Sequence, residues 1–179
     1  MTDLSGKKIA IIATDYFEEA ELVTPRDELA KAGADVKVFS QSGESIQAVE
    51  GDTEPTQKVD VDGSLSDLDV SSYDAVVVPG GTVNADHLRI DEDAQSIVKE
   101  AYDAGKPVAV ICHGPWLLIN AGIAGGRKLT SYPSLSQDLK NAGATWVDQE
   151  VVVDDNLITS RNPDDLPAFV DAITKALAG

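Results

Sequence analysis

One cysteine and two histidines are present in the 179 residues, and the cysteine stands directly beside a histidine: Cys112-His113, in the stretch AVICHGPW. A thiolate attacks carbonyl carbon, and an adjacent imidazole can take the thiol proton and pass it to a leaving group. The pair closes an apolar run, Val108–Cys112, and is followed by Gly114 and Pro115. That order describes a strand that turns at once into a helix. The corner residue is then strained, with its side chain at the edge of the sheet; a small neighbour lets the turn close, and proline suits the first helical turn. The helix N-terminus beside the sulfur favours the thiolate. A buried cysteine can also be a small hydrophobe, but His113 and Gly114 together favour a reactive thiol.

Two other segments end in groups that could serve such a thiol. Tyr73–Pro79 (YDAVVVP) runs into Gly80-Gly81, where bare backbone lets N–H groups approach a developing oxyanion; a plain tight turn would need the same residues. After Lys7–Thr14 (KKIAIIAT) come Glu18, Glu19 and Glu21. One of these near the sulfur would share a proton with it, while Glu19 reads as a solvated surface acid. Asp86 could orient His113, and His87 faces solvent or a subunit contact.

These groups converge only if the strands lie side by side. Lys7–Thr14, Asp35–Ser40, Tyr73–Pro79 and Pro107–Cys112 are nearly all apolar, as strands buried on both faces are. Helical spacing covers Glu18–Ala32, with a break or a fresh helix start expected at Pro25. Further helices are expected at Asp91–Ala104, closed by Gly105, at Pro115–Ala121, at Gln137–Ala142 and at Pro163–Leu177. Gln41–Ser72 reads as hairpin and loop, and Trp146–Ser160 as a hairpin turning at Asp154-Asp155-Asn156. The alternation predicts an α/β fold: one domain over 1–179, a doubly wound, mostly parallel sheet between helices, with a β-hairpin near the C-terminus. Ligands of such sheets gather beyond the carboxyl ends of the strands, where all the candidate groups fall.

Composition narrows the partners. Thirty-one acidic residues against fourteen basic ones leave a net charge of −17, which repels phosphate backbones and argues against nucleic acid. The scattered acids fit a high-salt habitat, where screening relieves self-repulsion. No apolar run approaches a membrane span and no leader is evident, so a cytoplasmic protein is expected. A lone cysteine forms no internal disulfide. Two separated histidines give no zinc spacing, and the acidic DYFEE after the first strand is unlike a phosphate loop. No metal or cofactor is expected.

The segments DYFEEAELVTPRDEL, YDAVVVPGG, GKPVAVICHGP with GRKLTSYP, and VVVDDNLITSRNPDDLPAF together resemble the DJ-1/PfpI superfamily, within it the PfpI-type intracellular proteases (peptidase family C56), over essentially the whole chain. The resemblance implies a flavodoxin-like fold of the class I glutamine amidotransferase kind. It makes Cys112 the nucleophile, His113 the general base, and Gly81 with the N–H after the cysteine the oxyanion donors. It makes Glu21 the acid bonded to the sulfur and Glu18 a second acid. In PfpI-type members a glutamate from a neighbouring subunit completes a triad; here the matching residue is Asp86, one methylene shorter. A homodimer or a hexamer of dimers is implied. So is a cofactor-independent cysteine hydrolase acting on peptides or glyoxal-derived adducts, with bulky Trp116 and Tyr132 beside the elbow favouring small carbonyl substrates. The alternative is a redox-sensing, stress-protective protein whose cysteine is oxidised with little turnover.

Overall fold

A computed structural model describes residues 2–179. The first apolar run forms β1 (Lys8–Ile12), followed by a two-residue β2 (Phe17–Glu18), helix α1 (Glu19–Lys31) and β3 (Asp35–Ser40). A hairpin of β4 (Ile46–Glu50) and β5 (Glu54–Val59) leads through β6 (Gly63–Ser64) to β7 (Ala75–Val78). Helices α2 (Thr82–Arg89) and α3 (Glu92–Asp103) precede β8 (Val108–Ile111), which runs into α4 (Pro115–Asn120). After β9 (Lys128–Leu129), α5 (Ser136–Asn141) and β10 (Thr145–Trp146), the hairpin of β11 (Val152–Asp154) and β12 (Leu157–Ser160) leads to α6 (Leu166–Ala178).

The central sheet has the order β11-β12-β8-β7-β1-β3-β6. Its pairings are parallel except that of β11 with β12. Successive side chains of each strand enter opposite layers, as the two-residue period requires. Ile9 and Ile11 of β1 join Leu22 and Leu29 of α1 and Phe169 and Ile173 of α6, whereas Ala10 and Ile12 join Ile97 and Val98 of α3 and Leu117 of α4. The chain leaves β1 toward β3 on one side and leaves β7 toward β8 on the other, so β1 and β7 flank the switch point where a crevice opens beyond the strand ends.

Three local expectations differ. The break at Pro25 does not occur: α1 is continuous, and Pro25 is buried with Glu21, Leu22 and Leu29. Packing of that face holds both halves in line, while the missing N–H leaves the Glu21 carbonyl without its intrahelical donor. Helix α2 was not foreseen. It is organised around the buried Asn84, whose Oδ1 accepts the Thr14 N–H at 2.7 Å and whose Nδ2 donates to the Pro79 and Gly80 carbonyls at 3.1 and 2.9 Å. One amide thus ties the ends of β1 and β7 together. Trp146 lies outside the C-terminal hairpin, since β10 pairs with β9 in a separate small sheet.

Candidate active site

Cys112 follows β8 directly and has φ of 63°, a left-handed conformation costing roughly 1–3 kcal/mol for a non-glycine residue. Flanking bonds hold it there: its N–H donates to the Ser160 carbonyl at 3.0 Å, and its carbonyl accepts the Tyr132 N–H at 2.8 Å. The turn needs Gly114, where a Cβ would lie 2.6 Å from Val110 Cγ1 and 2.9 Å from the Ile111 carbonyl oxygen. The elbow read from the sequence is present, with Pro115 opening α4.

Glu21 rises from the first turn of α1 and is completely buried. Its Oε2 accepts the Gly80 N–H at 2.7 Å, while Oε1 has no hydrogen-bond partner; the carboxyl as a whole also meets the Cys112 thiol. Burial foremost, with the charges of Glu18 and Asp52, pushes Glu21 up from 4.5 to about 8, against the pull of the Gly80 N–H. At neutral pH it is therefore a protonated acid able to donate to sulfur.

Burial, and then a charge on Glu21, push the Cys112 thiol up; the backbone N–H groups of Gly81 and His113 pull it down. The expected lowering by the helix terminus is thus outweighed by burial. Protonation of Glu21 removes the second of the raising causes, so carboxyl and thiol titrate as one coupled pair sharing a proton.

His113 Nδ1 lies 3.2 Å from Sγ. Its ring stacks on Tyr132, with centroids 4.6 Å apart, and meets Trp116 edge-on. Burial holds its pKa below the usual value against the opposing pull of Asp52, which keeps the imidazole neutral near pH 7. Within the single chain, hydroxyls rather than a carboxylate stand at the far ring nitrogen. Thr82 Oγ1 and Ser134 Oγ stand 3.3 and 3.4 Å from Nε2, whereas Asp86 is exposed on α2 and is not among the partners of His113 within the chain. A hydroxyl can donate to a bare Nε2 and a carboxylate cannot, so these partners accommodate the Nδ1–H tautomer facing sulfur.

The glycines divide their duties. Gly80 gives its N–H to Glu21 and is not a free oxyanion donor; a Cβ there would lie 2.5 Å from both Cys112 Cβ and Glu21 Oε2. Gly81, at φ of 90°, turns its N–H toward the sulfur. Glu18 accepts the N–H groups of Gly51 and Asp52 at 2.9 and 3.1 Å, which fastens the β4–β5 turn over the site. A cleft of about 300 Å³ reaches Cys112, with Glu18, Glu21, Asp52, Tyr132 and Asn162 in its walls.

The DJ-1/PfpI family pattern matches residues 7–176. This chain belongs to the DJ-1/PfpI family. Protein/nucleic acid deglycase 2 of Escherichia coli is 45% identical to it over 166 residues, 92% of this chain and 94% of that protein. Deglycase PfpI of Pyrococcus furiosus is 39% identical over 170 residues, 95% and 99% of the two chains. The crystal structure of Drosophila melanogaster DJ-1beta superposes with a TM-score of 0.87 at 32% identity, covering all of this chain and 92% of that one. The expected DJ-1/PfpI fold and cysteine-hydrolase class stand together.

Within this DJ-1/PfpI site, sequence reasoning missed Asp52, Thr82 and Ser134. Asp52 follows Gly51 in the β4–β5 turn, both with positive φ (66° and 61°), and its Oδ1 accepts the Thr82 N–H at 2.8 Å. Glycine followed by aspartate between two strand-like runs is a turn signal; nothing in it announced that the turn reaches back to the start of α2.

Proposed function

We propose that the chain is a cofactor-independent cysteine hydrolase that removes small glyoxal-derived adducts from amines and thiols. The observation that carries this reading is the sulfur at a strained elbow, between His113 Nδ1 at 3.2 Å and a buried Glu21 carboxyl, at the foot of a cleft of about 300 Å³. A cleft of that size accommodates a three-carbon carbonyl unit, whereas a protease needs a groove for extended chain.

For an aminocarbinol adduct, sulfur bonds to the carbinol carbon as the C–N bond breaks, and the amine leaves with a proton relayed by His113. A hemithioacetal remains, its oxygen held by the N–H groups of Gly81 and His113. Glu21, left as a carboxylate once its own proton has followed the thiol's to the departing amine, which leaves as an ammonium, carries a proton from that carbon to the neighbouring carbonyl carbon. The first carbon is oxidised to a thioester as the second is reduced to an alcohol, so no external oxidant enters. Water then releases the hydroxy acid and the thiolate.

The exposure of Asp86, together with Tyr16, Val83 and Tyr132 at 45%, 37% and 40%, supports a dimer or a hexamer of dimers in which a second copy brings Asp86 to this edge. The net charge of −17 supports work at high salt, and a lone free cysteine supports a reducing cytoplasm. Among the described residues no helix is long and apolar enough to cross a membrane.

The test offers methylglyoxal-treated N-acetyl-lysine and a fluorescent peptide side by side in molar KCl. Free amine and lactate should appear from the first faster than cleavage of the second. Ready oxidation of Cys112 by peroxide with neither turnover would favour the redox-sensing role instead.

A further inference from the structure

Beside the catalytic cleft lies a second hollow of about 380 Å³, and Glu18 and Pro163 line both. Its walls come from the first turns of α1 and from the β4–β5 hairpin, and they carry Glu18, Glu19 and Glu50. With Asp52 and Glu21 at the cleft itself, five carboxyl groups border a trough of two adjoining hollows, the inner of which reaches the sulfur. Among the described residues, no lysine or arginine lines either hollow. Glu19 is held below the usual carboxylate range by bonds from Thr56 and Gln57, so it is charged. At the foot of the trough, the completely buried Glu21 lines the cleft and its Oε1 has no hydrogen-bond partner, an open polar position that a ligand group would fill.

We infer that this trough selects adducts carried on cationic peptide segments, rich in lysine or arginine, and turns away anionic carriers such as nucleotide phosphates. The inference deepens the hydrolase reading and rests on it for the reacting group. The preference itself follows from the walls of the trough. Apolar Ala20 and Val23 would cover the methylene stem of a lysine or arginine, while the carboxylates meet its charged head.

Because Cys112 is the chain's sole cysteine, charged thiol reagents report the field of the trough at one atom. The test compares methanethiosulfonates carrying a trimethylammonium or a sulfonate group; the thiolate attacks the sulfenyl sulfur and a sulfinate leaves. The ratio of cationic to anionic rate at Cys112, divided by that of free N-acetylcysteine amide, should be about tenfold at low salt, since each exposed pair contributes up to about fivefold. It should approach unity in molar KCl and fall about threefold or more in Glu19→Gln/Glu50→Gln. A ratio equal to that of the free thiol, or no modification by either reagent, overturns the inference. In parallel, methylglyoxal adducts of Lys-Cys-Lys and Glu-Cys-Glu are offered as substrates. Reagent preference without lactate release from either peptide leaves the cation selectivity standing and removes the hydrolase reading. Equal turnover of both with a free-thiol reagent ratio does the reverse.

Discussion

Replacing Glu21 by glutamine should make the protein more stable at alkaline pH, by an amount that grows with pH. The carboxyl titrates at about 8 in the folded chain against 4.5 ordinarily. A group raised on folding contributes stability fully present below its unfolded value and lost as pH climbs through its folded value. The window therefore runs from about 4.5 to about 8. At about 1.4 kcal/mol per pH unit, the loss between about pH 5 and about pH 9 is on the order of 4 kcal/mol. Glutamine keeps the shape, and its carbonyl can still accept from Gly80, but it has no proton to lose. Measuring on a Cys112→Ser background removes the coupled thiol, so that the carboxyl titrates alone. Urea unfolding of Cys112→Ser and Cys112→Ser/Glu21→Gln across that range should give curves that diverge toward high pH. A constant difference would refute the claim that folding holds a proton on Glu21.

Gly80→Ala sets a methyl 2.5 Å from Cys112 Cβ and Glu21 Oε2; thermal melts should show a loss of about 1–3 kcal/mol, and turnover should fall with the displaced carboxyl. Thr82→Val with Ser134→Ala strips both hydroxyls from His113 Nε2 and should lower kcat about tenfold at little change in KM, with a ¹⁵N shift reporting the altered tautomer; unchanged kcat and shift would remove these residues from the site. Raising KCl from low to molar concentration should lift Tm by about 5 °C or more, because it screens the repulsion among a net −17 charge; a falling Tm would show that the exposed ion pairs matter more.

The sheet was legible because its strands are continuous apolar runs, and the elbow because cysteine, histidine, glycine and proline fall in an order with few structural meanings. Glu21 was legible as one of three acids past β1, though only the fold shows that it is the buried one. Helix α2 escaped because Thr82–Arg89 buries little beyond Asn84, Ala85 and Leu88; its anchor is a polar residue that bonds to two strands distant in sequence. Pro25 misled because local backbone chemistry favours a break where tertiary packing of one helix face prevails. Asp52 was invisible for a related reason. It acts through the Thr82 N–H, and a contact between residues thirty apart leaves no periodic trace.

The central claim is that Cys112 sulfur is the nucleophile. Lactate release from methylglyoxal-treated N-acetyl-lysine, followed for the native chain and for Cys112→Ser with circular dichroism matched, tests it most directly. The account predicts a loss of at least about a thousandfold in kcat; turnover by the serine variant within about tenfold of the native rate would contradict it.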